Sequence, residues 1–227
     1  MLKVRRLVSW CTLCKVSPLP IAPRPRAKIP LRRELTIFEE FVDFDDHPDQ
    51  GAGFSWERLI RLQHFGVPTR LLDWTEILGY ALFFAVRSFE SKEPRSPAVW
   101  ITNPFTLAKL ARRSNDKRIG MFHRTDDYDY FERFLSGQRP AWPYKAPIPY
   151  RPPKLTPRIR AQRGFFTVHG TDRRPLDAIF PRAVRQVRLP LEALAGARNF
   201  LTLAGIDSLA MFPDYEGFAR KLREKYE

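Results

Sequence analysis

Acidic residues are absent from the first 33 positions, and cysteine is scarce throughout. Two cysteines among 227 residues exclude a disulfide framework and suit a reducing compartment. They form a C-x-x-C, Cys11 to Cys14. A redox pair of this kind follows a strand and opens a helix, whereas here a basic, Pro-rich segment follows. A zinc site needs four ligands, and the next histidine is His47, so two incidental thiols are the preferred reading. Long apolar runs are missing too. The longest, Ile77 to Val86, falls short of the roughly 20 residues that cross a bilayer, and a buried helix is the better assignment. The start, MLKVRRLVSWCTLCK, imitates a signal peptide, but its apolar run contains Ser9 and Trp10 and no A-x-A site follows. A cytoplasmic protein with no membrane partner is therefore expected.

What is present argues for a folded domain. The hydrophobic share is 44%, with 18 Phe. Net charge is +14, but residues 1–33 alone hold nine Lys or Arg. The rest carries 30 basic and 25 acidic residues, an ordinary balance, so the high pI describes the N-terminal segment and says little about nucleic acid.

The chain divides by composition. Residues 1–33, with five prolines after Val16, predict a disordered basic tail. Residues 34–50 reverse sign: seven acids and no Lys or Arg surround Leu35, Ile37, Phe38, Phe41 and Phe44 at helical spacing, an acidic amphipathic helix. The ordered domain is expected over 51–227. Ser55 is placed to cap a helix running to Phe65 and ended by Gly66 and Pro68. A loop, VPTRLLDWT, then leads to a buried helix over 77–89. Strands are expected at 98–102, 165–169 and 184–189, and helices at 104–112, 191–203 and 214–225. Residues 140–157 contain seven prolines and predict no regular structure. Sheet and helix signals mix without a βαβ rhythm. The fold class is therefore α+β: a single domain with a small central sheet and flanking helices.

The densest polar cluster is QHFGVPTRLLDWT, Gln63 to Thr75. It presents Gln63, His64, Thr69, Arg70, Asp73 and Trp74 between two apolar helices, where a loop on a rigid scaffold can hold a ligand. A structural reading is equally open: Arg70 can pair with Asp73, and Trp74 can fill the core. Asp73 is also placed to cap the 77–89 helix, with Trp74 packed beside it. Other chemistries find no support. The four histidines, His47, His64, His123 and His169, are scattered, so no metal is expected. No phosphate-cradling glycine loop or G-x-S-x-G elbow occurs. Asp126, Asp127 and Asp129 read as a solvated helix start.

QHFGVPTRLLDWT followed by Ala81 to Val86 resembles the central signature of FRG domains. Arg158 to Gly170 (RIRAQRGFFTVHG) and Gly205 to Leu222 (GIDSLAMFPDYEGFARKL) resemble the family's second and C-terminal blocks. Two departures stand out. The aromatic-Arg-Gly triplet that names the family is absent, which suggests that the first strand is missing or replaced. Ile77-Leu78 stands where the family usually has Asn-Pro.

The resemblance implies a pocket around Gln63, His64, Thr69, Arg70, Asp73, Trp74, Gln162 and Arg163, with the two blocks converging on one cleft. By analogy with ADP-ribosyltransferases, whose first strand carries an Arg and a late strand a Glu, it implies NAD or another nucleotide as ligand. This chain has Gln162 near the position of that Glu. An amide meets a ribose hydroxyl but offers no charge to an oxocarbenium-like ion, so weakened or absent activity is expected. The alternative is a non-enzymatic binding module in which residues 1–33 engage nucleic acid or an acidic protein partner, with the motif blocks as core.

Overall fold

The computed structural model describes residues 13–16, 31–45, 56–67, 69–87, 96–112, 145–152, 157–172 and 174–226. They form an α+β domain on one antiparallel sheet. Its strands are β1 (Leu13–Val16), β2 (Leu71–Thr75), β3 (Ala98–Thr102), β4 (Ile148–Tyr150), β5 (Gly164–Val168) and β6 (Val184–Arg188), in the order β4-β5-β2-β1-β3-β6. The helices are α1 (Leu31–Phe44), α2 (Trp56–His64), α3 (Leu78–Arg87), α4 (Pro104–Arg112), α5 (Pro157–Gln162), α6 (Leu176–Ile179), α7 (Leu194–Leu203), α8 (Ser208–Met211) and α9 (Tyr215–Tyr226).

β3, β5, β6 and helices α1, α2, α3, α4, α7 and α9 lie where the sequence predicts them. Three strands correct the sequence reading. β1 falls inside the basic segment expected to be disordered, and it runs between β2 and β3. Leu13 to Val16 pair with Thr102 to Val99, and Cys14 pairs with Thr75. Neighbours on both sides satisfy its backbone, and that pairing outweighs the charge and proline around it. A strand thus precedes α1, without the aromatic-Arg-Gly triplet, as expected if the first strand is replaced rather than missing. The remainder of 1–33 up to Pro30 lies outside the described residues, as do Cys11, His47, Ser55, His123 and the 124–134 acids.

β2 replaces the expected loop: Leu71 to Thr75 pair residue by residue with Val168 to Gly164. β4 lies in the Pro-rich stretch with Pro149 at its centre, opposite Thr167. An edge strand tolerates proline because one side of it needs no ladder donor.

Both faces of the sheet are covered. On one, Leu71, Ile148, Tyr150, Phe166 and Val168 pack with Phe38 of α1 and Leu59, Ile60 and Leu62 of α2. On the other, Leu72, Trp74, Trp100, Phe165 and Val184 pack with Leu107 of α4 and Leu176 of α6. A third cluster joins Phe83 and Val86 of α3 to Leu194, Leu201, Met211 and Phe212. Charge ties α1 to α2: the Asp45 carboxylate after α1 meets Arg58 Nε at 3.6 Å and is hydrogen-bonded by Arg61 Nη2. The acidic helix therefore faces basic positions of α2.

The turn out of α2 sets the site. Gly66 has φ +80°, its N–H donates to Gln63 O at 3.1 Å, and Val67 N donates to Leu62 O at 3.1 Å. This Schellman pair needs a residue without Cβ strain at the left-handed position. It halts α2 one turn beyond its buried face and turns the chain toward β2.

Candidate functional site

Alternation along β2 sends Leu72 and Trp74 to one face of the sheet and Leu71, Asp73 and Thr75 to the other. All are buried except Asp73. A lone exposed carboxylate at the centre of a buried strand is held by two polar side chains and a backbone N–H acting in series. Gln63 Nε2, from the last turn of α2, donates to Asp73 Oδ2 at 2.7 Å. Thr69 Oγ1 donates to Gln63 Oε1 at 2.6 Å, and Leu71 N donates to Thr69 Oγ1 at 3.0 Å. Thr69 is itself buried. The relay fixes the Gln63 amide orientation, since its oxygen must face the Thr69 hydroxyl and its nitrogen Asp73.

Arg158 of α5 lies within electrostatic reach of Asp73, Asp214 and Glu216. Its guanidinium carbon stands 4.3 Å from the Phe212 ring centroid. Burial lowers the Arg158 pKa, and the carboxylates oppose that effect. His64, beside Gln63, has a pKa below its ordinary 6.5. Burial is the first cause and repulsion from Arg158 the second, against Asp214 and Glu216, which raise it. A half-buried array results: one amide, one hydroxyl, one imidazole, one guanidinium and three carboxylates.

The remaining expected residues have other engagements. Trp74 is buried, and its Nε1 donates to Thr167 Oγ1 at 3.2 Å across the β2–β5 pair. Arg70 Nη1 donates to His169 O at 3.4 Å, and His169 N donates to Arg70 O at 3.1 Å. The expected Arg70–Asp73 alternative is thus not the pairing that the geometry displays. Gln162 Nε2 donates to Met211 O at 2.9 Å, tying α5 to α8, and Thr75 Oγ1 donates to Gln162 O at 2.8 Å. Gln162 thus sits at the end of β2 while its amide points to α8 rather than into the Gln63–Asp73 pair. Arg163 is exposed, with φ 44°, at the turn between α5 and β5.

Asp73 does not cap α3. It lies mid-strand, and Ile77 N donates instead to Thr75 Oγ1 at 3.1 Å. Sequence reasoning missed Arg158, Asp214 and Glu216. All three lie inside the second and third blocks quoted above, and their alternating charge was the available signal. Among the described residues no group of three or more His, Cys, Asp or Glu could hold a metal ion, and no helix is long and apolar enough to cross a membrane.

Sheet and site together define an α+β domain with a strand-borne polar cluster. The family model for the FRG domain matches residues 20–94, a match that supports the resemblance to FRG domains over that segment. The matched segment takes in α1, α2, β2 and α3. It begins upstream of the boundary at 51 expected from composition, and the second and third blocks lie beyond it. No curated protein and no solved structure matches the chain significantly.

Proposed function

We propose that this domain binds a nucleotide, with NAD the first ligand to probe, and that it does so with little or no transferase activity. The observation that carries the reading is Asp73, the exposed carboxylate of a buried strand, oriented by Gln63 and Thr69 and faced by Arg158. A carboxylate on a rigid strand accepts hydrogen bonds from a ribose diol, as acidic residues do in dinucleotide folds. The neighbouring amide adds a donor, and Arg158 supplies positive charge for a phosphate.

Transfer of ADP-ribose needs more: a carboxylate set to stabilise developing oxocarbenium charge. At the position implied by resemblance this chain has Gln162, whose amide serves Met211 O. Asp73 already accepts from Gln63. Binding without efficient chemistry is therefore the reading these contacts favour.

Isothermal titration of the folded chain with NAD at millimolar concentration tests it. The expected result is saturable heat in the wild type, reduced about tenfold in affinity by Asp73→Ala, as one charged hydrogen-bonding group is lost. Absence of heat in a folded sample overturns nucleotide binding. Rapid nicotinamide release on incubation with NAD overturns the inactive half of the proposal.

A further inference from the structure

An open recess lies where the end of α3 meets α8 and α9. Arg87, Arg220, Arg223 and Glu224 line a cavity of about 270 Å³. We propose that it receives the phosphate group of a small phosphorylated molecule.

The recess is held by a part-buried polar network. Ser208, fully buried, accepts from Arg87 Nη1 at 3.1 Å and donates to Glu224 Oε1 at 2.6 Å. The one acidic wall residue is thus drawn toward a hydroxyl, and its carboxylate lies 4.0 Å from Arg87 Nη2. Phe212 backs the recess: the Arg87 and Arg220 guanidinium carbons lie 5.6 and 5.0 Å from its ring centroid. Arg220 also pairs with Glu216 one turn earlier. Among the described residues no carboxylate pairs with Arg223, which is exposed on α9.

Three guanidiniums against two carboxylates, Glu224 and the Glu216 partner of Arg220, leave an excess of positive charge. Planar N–H forks suit the tetrahedral oxygens of phosphate. The volume lies just below the range of pockets that enclose drug-sized ligands, so it fits a phosphoryl or diphosphoryl group better than a whole dinucleotide. Gly217 keeps this corner tight. A Cβ there would stand 1.8 Å from Phe212 O, so α9 can approach α8 only with glycine at that position.

Titration of the full chain with inorganic pyrophosphate tests the proposal. Wild type should bind, with affinity falling as salt rises. Arg223→Gln, an exposed change, should weaken binding about fivefold, while Glu224→Gln should strengthen it about threefold; both correspond to loss of one half-exposed charge. The glutamine retains an oxygen for the Ser208 hydroxyl, so folding is preserved, and the unfolding midpoint of each variant checks this. Arg188→Gln, on the exposed edge strand β6, should leave pyrophosphate binding unchanged, which separates this recess from a general response to surface charge. Failure of NAD to bind would not bear on it. Three results overturn the proposal: no pyrophosphate binding, insensitivity to Arg223→Gln, or weakening by Glu224→Gln. Tighter binding of a phosphoserine peptide than of pyrophosphate would overturn the small-molecule assignment.

Discussion

The two ends of the sheet are built differently. One end, β4-β5-β2, is packed on both faces, and nearly every side chain of its strands is buried. The other, β3-β6, ends in an edge strand whose residues after Val184 are mostly exposed, with Arg185 and Arg188 pointing to solvent. Exposed arginines on an open edge disfavour pairing with another chain. The polar cluster sits on the well-packed end, where a rigid strand can hold a carboxylate in one place. β1 alone joins the two ends, since it pairs with β2 on one side and β3 on the other.

Deleting residues 1–16 breaks that junction and should have the largest effect. Without β1 the sheet divides into a three-stranded and a two-stranded piece. The expected loss is comparable to the whole stability of a domain, on the order of 5 kcal/mol or more. Urea denaturation followed by far-UV circular dichroism checks it, and a wild-type transition in the deletion variant would show that the ends hold together without β1. The same geometry makes deletion of residues 1–33 a poor test of nucleic acid binding by the basic segment, because it removes a strand and the start of α1.

Which strands could be read from sequence follows the same division. β3 and β6 are apolar or alternating runs, and β5 follows a helix as FFTV, so periodicity finds all three. β1, β2 and β4 are each three to five residues long. Their local signals point elsewhere: basic and proline-rich flanks around β1, Pro68 and Asp73 around β2, Pro149 within β4. Pairing partners more than 60 residues away decide β1 and β2, and β4 is decided by β5, 16 to 20 residues further along the chain. The candidate site was legible in its residue types, because Gln63, Thr69 and Asp73 stand within eleven positions. Its form was not. Asp73 reads as a helix cap when β2 is taken for a loop, and as a strand-borne acceptor once β5 is beside it.

Trp74→Ala probes the apolar face of the packed end. Trp74 is buried among Leu72, Trp100, Leu107 and Phe165, and its removal should cost about 3–5 kcal/mol. Trp74→Phe should cost less, losing chiefly the bond to Thr167 Oγ1. Chemical denaturation of both variants checks the order.

On the opposite face, Asp45→Ala should cost about 3 kcal/mol, because two arginines of α2 lose a carboxylate in a largely buried setting. Rescue by Asp45→Glu would indicate that charge, not shape, ties α1 to α2. Equal stability of the wild type and the Asp45→Ala variant would show that α1 is held by Phe38 and its apolar neighbours alone.

Asp73 should contrast with both. It is exposed, and its carboxylate accepts an exposed hydrogen bond from the Gln63 amide, so Asp73→Ala should change stability by less than about 1 kcal/mol. Asp73→Asn should change it less still. Had Asp73 been a helix cap, alanine would cost up to about 2 kcal/mol and asparagine little. Thermal unfolding of the two variants therefore distinguishes a strand-borne acceptor from a cap, independently of any ligand.

The smallest expected effect is a pH dependence centred on His64. Burial and the neighbouring Arg158 hold its pKa below the ordinary 6.5, while Asp214 and Glu216 pull it back up. Well above pH 6.5 His64 is neutral in both folded and unfolded chains and contributes no slope. As pH falls through 6.5 the unfolded chain takes up the proton first. The unfolded state then binds more protons than the folded one, so stability falls with pH until the folded imidazole also titrates. Below that folded pKa the loss is complete and the slope vanishes again. His64→Gln removes the titrating group while keeping a polar side chain at the end of α2. The difference in unfolding free energy between wild type and this variant should therefore drift against the wild type between pH 7 and pH 5, and stay flat above pH 7. Arg158→Gln should shrink that drift by removing the second cause of the shift. A drift of opposite sign would mean that Asp214 and Glu216, not burial, dominate the surroundings of His64, and that the cluster beside Asp73 is more acidic than its geometry implies.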